Sequence, residues 1–163
     1  MESGAVYVIA KGAKHGNKPD LCSKDIVYIG YTEQNLQARL NQFGRACQGK
    51  RGHAGGDSYF QTCICPEFGD KIEELRESGL NRVDAAKEAM KDPCYRGREN
   101  EFEDAWKNEN RNLFVSAWNP PHHWSNSYES LPKREQLKFV EAKLQVEFVR
   151  KNKRLPQHNK TFS

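Results

Sequence analysis

The stretch VYIGYTEQNLQARL, residues 27–40, decides the fold of this chain. Its first half is rich in β-branched and aromatic residues, which predicts a strand, and the leucine spacing of its second half predicts a helix. An earlier stretch, GAVYVIA at residues 4–10, has the same strand pattern. We expect these two strands to form a hairpin in which Tyr7 and Tyr28, as cross-strand neighbours, face one pocket.

The helix after the second strand is expected to begin near Thr32, a good N-cap residue, with Glu33 in its first turn. Its apolar residues fall on one stripe, with Arg39 beside that stripe. The stripe consists of Leu36, Leu40, Phe43 and Cys47.

Further along, a glycine-rich segment at 49–60 is predicted to lead into a short strand. Three charged helices are predicted within a segment at about 66–110, followed by a strand at 111–118 and a long helix from about 133 to 151. The order β-β-α, helical segment, β-α indicates an α+β protein. We expect one domain, residues 1–163, with a helical insertion at about 66–110.

Charge is distributed unevenly along the chain. Residues 67–109 hold 13 acidic and 8 basic residues, whereas the remainder holds 18 basic and 9 acidic residues. A basic surface favours a polyanionic partner, and solubility alone is the alternative explanation. No apolar run is long enough for a membrane span, and no secretory signal is visible. The five cysteines, an odd number, favour reduced thiols in the cytoplasm.

Glu141 is unusual because it lies inside the apolar stripe of the predicted long helix. That stripe consists of Leu137, Val140, Leu144 and Phe148. A carboxylate that faces a core costs several kcal/mol, roughly, unless it is paired or binds a metal. Lys138 and Lys143 are the candidate partners, and one glutamate with water and phosphate oxygens is enough for Mg²⁺.

These motifs together resemble the GIY-YIG nuclease superfamily. Ala5-Val6-Tyr7 occupies the first motif with only the tyrosine kept, and Tyr28-Ile29-Gly30 matches the second fully. The pattern N-L-x-x-R-L at 35–40 supplies the arginine, Arg39. The stretch FVEAKLQVEF places Glu141 at the family's glutamate, and LPQHNK supplies Pro156 and Asn159. The resemblance does not cover residues 60 to about 110.

The resemblance implies a three-stranded antiparallel sheet flanked by helices, and a catalytic set of Tyr7, Tyr28, Arg39, Glu141 and Asn159. Either tyrosine would activate the attacking water, and Arg39 would hold the scissile phosphate. Glu141 would bind one Mg²⁺ or Mn²⁺ ion, and Asn159 would support the site.

The sequence departs from the family at two positions. Phe43 replaces a common histidine, and Tyr31 replaces a lysine found in the repair branch. His53 is the residue that could supply the missing imidazole. We expect the substrate-binding residues to be Lys11, Lys14, Lys18, Tyr31 and His53, with the lysines contacting phosphates.

The expected function is therefore a metal-dependent endonuclease acting on double-stranded DNA, of the type II restriction class. The alternatives are a structure-selective repair or recombination nuclease and a nucleic-acid-binding module without catalysis. A homodimer is also possible, because the insertion carries an apolar face that either the core or another subunit must cover. That face consists of Ile72, Leu75, Val83, Ala86 and Met90.

Overall fold

The computed structural model describes residues 4–12, 23–118 and 130–160. It is an α+β protein with a three-stranded antiparallel sheet, which confirms the predicted fold class. The chain divides into two compact units. We call residues 1–41 and 112–163 the sheet unit and residues 42–111 the helical unit. The single domain with an insertion at about 66–110 stays a prediction.

The sheet unit contains all three strands: β1 (Ala5–Lys11), β2 (Ile26–Thr32) and β3 (Leu113–Trp118). β1 is central, in the order β2-β1-β3, and pairs antiparallel with both neighbours. The strand predictions for these segments are confirmed. A bulge between Ile9 and Ala10 changes the register, and it allows Ile26 and Ile29 to join the same core although they are three residues apart.

One long helix, here α6 (Lys133–Asn152), closes the sheet unit. The apolar stripe of α6 packs against alternate residues of β1 and against β2, and together they form one core. The predicted stripe is therefore confirmed. The core residues are Val6, Val8, Ala10, Ile26, Ile29, Leu137, Val140, Leu144 and Phe148. Although α6 spans 20 residues, neither it nor any other described helix has the continuous apolar length that a bilayer crossing requires.

Helix α1 runs from Leu36 to Arg45 and begins later than predicted. Thr32 is the last residue of β2, and its Oγ1 accepts a hydrogen bond from the Gln34 N–H. The N-cap is instead Asn35, whose Oδ1 accepts from the Gln37 N–H at 2.8 Å. The prediction of Thr32 as the cap was wrong because its side chain closes a turn between strand and helix.

The helical unit contains α2 (Ala54–Tyr59), α3 (Pro66–Glu77), α4 (Arg82–Ala89) and α5 (Glu99–Asn110). The last three confirm the three predicted charged helices. The prediction of a strand after the glycine-rich segment was wrong, because that segment contains α2 and the chain continues as a π-helical turn, Phe60–Ile64. Five-residue π-helical turns, Ala46–Lys50 and Phe60–Ile64, flank α2.

This unit has its own aromatic core, in which Phe60 contacts Phe68 and Phe102 edge to face. The predicted apolar face of the insertion is largely covered by that core. Ile72 and Ala86 are buried in it, Leu75 and Met90 pack against it, and Val83 remains 57% exposed. The unit therefore needs no second subunit to bury this face, and the homodimer stays a prediction.

After α6, the chain returns along the open edge of β2. The His158 N–H donates to the Val27 carbonyl at 2.9 Å, and the His158 side chain is 1% exposed. Burial, with a smaller effect of the Lys11 charge, lowers the pKa of His158 to about 4. His158 is thus held neutral inside the sheet unit.

This burial predicts a pH-dependent stability. A lowered folded-state pKa means that the unfolded chain binds a proton first as the pH falls. His158 therefore stabilises the fold above about pH 6.5, and this contribution is lost progressively down to about pH 4. Between about pH 7 and about pH 4, the wild type should lose on the order of 3 kcal/mol more unfolding free energy than His158→Gln, as measured by urea titration. If the wild type and His158→Gln lost the same unfolding free energy over this pH range, the prediction would be contradicted.

Candidate active site

The two predicted tyrosines lie on one face of the sheet unit. Tyr7 pairs with Gly30 and Tyr28 pairs with Ile9, so the tyrosines are diagonal rather than directly opposite neighbours. Their ring centroids are 6.0 Å apart with an interplanar angle of 44°. Both rings are buried, and Tyr7 has no exposed surface.

Gly30 makes this arrangement possible because the Tyr28 ring lies over it. A Cβ atom at position 30 would be 2.5 Å from Cε1 of Tyr28 and 2.9 Å from its hydroxyl oxygen. Such distances are far below van der Waals contact, so any side chain at this position must displace the ring. The glycine of the Tyr28-Ile29-Gly30 motif therefore leaves the space that the tyrosine occupies.

Arg39 and the two phenols form a hydrogen-bonded chain. The Tyr7 oxygen accepts from the Arg39 guanidinium, and the Tyr7 and Tyr28 hydroxyls hydrogen-bond each other. Burial raises the pKa of both tyrosines above the usual value. For Tyr28 the neighbouring Tyr7 and then Glu141 raise the pKa further. For Tyr7 the Arg39 charge lowers the pKa, which makes Tyr7 the better placed of the two to carry a negative charge.

Glu141 lies where the sequence predicted, inside the apolar stripe of α6, and only 4% of its surface is exposed. Its Oε1 accepts a hydrogen bond from Nε2 of Gln145 at 3.4 Å, one helical turn further on. Lys138, one of the candidate partners, pairs instead with Glu135, at 3.3 Å. The carboxylate is thus held by a buried amide and acts electrostatically on both tyrosines.

Three of these side chains, Tyr28, Arg39 and Glu141, line one cavity of about 310 Å³ in the sheet unit. The remaining lining residues are the consecutive Tyr31, Thr32, Glu33 and Gln34, at the end of β2 and beyond. The cavity therefore joins a phenol, a guanidinium and a buried carboxylate that lie far apart in the sequence. Tyr7 does not line the cavity, but it contacts two residues that do, Tyr28 and Arg39.

Asn159 lies outside the cavity lining and contacts the backbone of β2. Its Nδ2 donates to the Ile29 carbonyl at 2.6 Å, and its Oδ1 accepts from the Ile29 N–H at 2.8 Å. This pair of bonds satisfies the open strand edge next to Tyr28. The structure thus gives Asn159 a positioning contact, which agrees with a supporting role.

The predicted substrate-binding residues are dispersed. Tyr31 lines the cavity, and Lys11 is exposed at the end of β1. Lys14 and Lys18 lie outside the described residues. His53 belongs to the helical unit, where it is 2% exposed and its Nδ1 accepts from the Gly56 N–H at 3.3 Å as the cap of α2. Its contact with substrate stays a prediction.

Sequence reasoning missed two polar groups that complete the site. Glu33 lines the cavity and pairs with Arg134 of α6 at 3.3 Å, and Arg134 also hydrogen-bonds Tyr31. Gln145 is fully buried beside Glu141. The i,i+4 spacing from Glu141 was a usable signal for Gln145, whereas nothing local linked Glu33 to Arg134.

The donor set fits one hard divalent cation. Within the part of the chain that the structure describes, no three His, Cys, Asp or Glu side chains are grouped as metal ligands. Glu141 is a buried carboxylate at a cavity wide enough for several waters, each of which needs about 30 Å³. Mg²⁺ keeps most of its waters and needs only one or two carboxylates, so Glu141 is a suitable ligand.

Comparison with protein-family models, with curated proteins and with solved structures finds no match to this chain.

The space above Gly30 predicts a stability effect that is independent of function. Gly30→Ala should lower the unfolding free energy by about 1–3 kcal/mol, because the new methyl group displaces the Tyr28 ring. In a Tyr28→Ala background the same change should cost much less, and urea titration of all four proteins measures the difference.

Gly44→Ala in α1 is the matched control, since a Cβ there meets its nearest atom at 3.5 Å. It should be neutral or stabilise the protein by up to about 1 kcal/mol. An equal cost of Gly30→Ala with and without Tyr28 would show that the ring does not occupy this space.

Proposed function

We propose that this chain is a GIY-YIG-type endonuclease that hydrolyses phosphodiester bonds of double-stranded DNA with one divalent cation. The observation that carries the proposal is the convergence of Tyr28, Arg39 and Glu141 on one cavity, with Tyr7 in contact with Tyr28 and Arg39 behind them. The first two come from separate strands and the others from separate helices. The motif resemblance includes the same four residues.

Phosphodiester hydrolysis needs an activated water and stabilisation of the charge that develops on the phosphate. Arg39 at the cavity wall presents a planar, permanently charged group that suits a phosphate. Glu141 would hold the cation. The cation, when bound, would act as a Lewis acid on the phosphate and lower the pKa of a coordinated water.

The tyrosine pair supplies the proton acceptor in this proposal. Tyr28 lines the cavity and hydrogen-bonds Tyr7, whose oxygen Arg39 stabilises. When Tyr7 is a phenolate, the Tyr28 oxygen takes a proton from the attacking water as Tyr28 passes its own proton to Tyr7. The water becomes hydroxide, Tyr7 becomes neutral, and Tyr28 is unchanged.

The helical unit has its own core and leaves the proposed chemistry to the sheet unit. It is therefore the part of the chain available for choosing a DNA target. We propose the restriction class on this basis, with the helical unit selecting the target. End-sequencing of products from mixed DNA substrates incubated with Mg²⁺ tests this: cuts at one short sequence support it, and cuts at branched structures favour a repair nuclease.

Removing the charge of Glu141 should separate binding from cleavage. Glu141→Gln keeps the shape of the side chain, so we expect DNA binding to persist and cleavage to fall by about a thousandfold, without rescue by added Mg²⁺. The fold should be retained or gain stability, because a buried carboxylate has been removed.

Glu135→Gln on the same helix is the control, since Glu135 is exposed and pairs with Lys138. It should cut at the wild-type rate. A Glu141→Gln protein that cuts normally but unfolds more easily would instead mark Glu141 as a structural residue.

The raised pKa values of the tyrosines predict the pH profile of the reaction. Because burial moves the pKa of Tyr7 above 10, the phenolate fraction rises about tenfold per pH unit throughout the neutral range. Cleavage at saturating Mg²⁺ should therefore rise with pH to at least about pH 9 with a slope near one on a logarithmic plot. Tyr7→Phe should abolish this slope, and a profile already flat near neutrality in the wild type would exclude a tyrosine as the base.

A further inference from the structure

The last described segment of the chain is strongly and uniformly basic. We call residues 150–160 the C-terminal arm: it contains five Lys or Arg residues and no Asp or Glu. All five, Arg150, Lys151, Lys153, Arg154 and Lys160, are exposed. Helix-dipole stabilisation accounts for Arg150 and Lys151 in the last turn of α6, but it falls off beyond that turn and does not explain the others.

Several lysines of the helical unit have an acidic partner on their own helix. Lys87, Lys91 and Lys107 each pair with an acidic residue one turn away on the same helix. In the arm, by contrast, Arg150, Lys153 and Arg154 form no salt bridge with any acidic residue that the structure describes. Their charges therefore remain available for an external anion.

The arm is attached to β2 on both sides of Tyr28. The His158 N–H binds the Val27 carbonyl at 2.9 Å, and the Asn159 amide binds both backbone groups of Ile29. Tyr28, between these two residues, lines the candidate active-site cavity. A polyanion bound along the arm would therefore pass the strand that carries the cavity.

Lys153 occupies a position where glycine is favoured. It ends α6 in the left-handed conformation, with φ 58° and ψ 15°, and its N–H donates to the Val149 carbonyl. A side chain here costs conformational energy that glycine avoids. Lys153 thus carries a charge at a site where the backbone alone would favour glycine.

We propose that the C-terminal arm is a phosphate-binding surface that holds the backbone of double-stranded DNA beside the active-site cavity. The inference rests on the proposed nuclease function and adds where the substrate backbone runs. Regularly spaced phosphates suit a row of exposed cations on a segment fixed to the sheet. Such contacts bind all sequences alike, so the arm supplies affinity rather than target choice.

Binding of a labelled duplex of about 30 base pairs tests the inference, in the Glu141→Gln background so that cleavage does not interfere. The test protein also carries Arg150→Ala, Lys153→Gly and Arg154→Ala. Fluorescence anisotropy at several salt concentrations gives the dependence of log K on log salt, which should weaken by about 0.9 for each lost contact. The affinity at about 0.1 M salt should fall at least about tenfold.

Lys138→Ala on α6 is the matched control for Lys153→Gly, since each change removes one positive charge and Lys138 is paired with Glu135. This control should keep the salt slope, and Lys153→Gly alone should keep or raise the midpoint of urea unfolding while weakening binding. An unchanged slope in the arm variant, an equal loss in the control, or an effect seen only with single-stranded RNA would overturn the inference. If the wild type cuts DNA but the arm substitutions do not weaken binding, only the inference about the arm is refuted. If the arm substitutions weaken binding but the wild type cuts no DNA, the proposed nuclease function is refuted.

Discussion

The antiparallel register between β1 and β2 is the constraint on which the candidate site depends. It sets Tyr7 opposite Gly30, and the missing side chain at that position lets the Tyr28 ring lie beside Tyr7. A slip of one residue would turn every side chain of a strand to the other face, so the core and the tyrosine pair would be lost together. The hydrophobic core therefore stabilises the geometry of the site as well as the fold.

Burial of a carboxylate is the second feature that shapes this unit. Glu141 lies in the same helical stripe as the core leucines, where desolvation makes a charge costly. Gln145 offers a buried amide, and the cavity offers room for water and for a cation. The same negative charge raises the pKa values of the nearby phenols, whereas Arg39 lowers that of Tyr7. Both charges act on both tyrosines, with Arg39 ranking higher among the causes for Tyr7 than for Tyr28.

Charged side chains are paired to different extents along the chain. In the helical unit, Lys71, Arg76, Lys87, Lys91 and Lys107 form local pairs at i,i+3 and i,i+4 spacing. The sheet unit keeps a basic arm without internal acids. Because long-range fields depend on unpaired charge, the arm adds a positive potential to the sheet unit.

The sequence by itself determined the elements with strong periodicity. Apolar spacing predicts the three strands, the three charged helices and α6. The burial of the Glu141 side chain follows from its place in the apolar stripe of α6. Two predictions were wrong: Thr32 closes a turn instead of capping α1, and the glycine-rich segment contains α2, which leads into a π-helical turn rather than into a strand. Both depend on hydrogen bonds to neighbouring residues that residue type alone does not specify.

Only the tertiary structure decided which distant residues meet. The diagonal placement of the tyrosines, the space above Gly30 and the pairing of Glu33 with Arg134 arise from strand register and from the approach of α6. The burial of His158 arises in the same way, because the chain after α6 returns to the edge of β2. Sequence periodicity reports which face of an element is apolar, but contacts between elements depend on packing across the whole core.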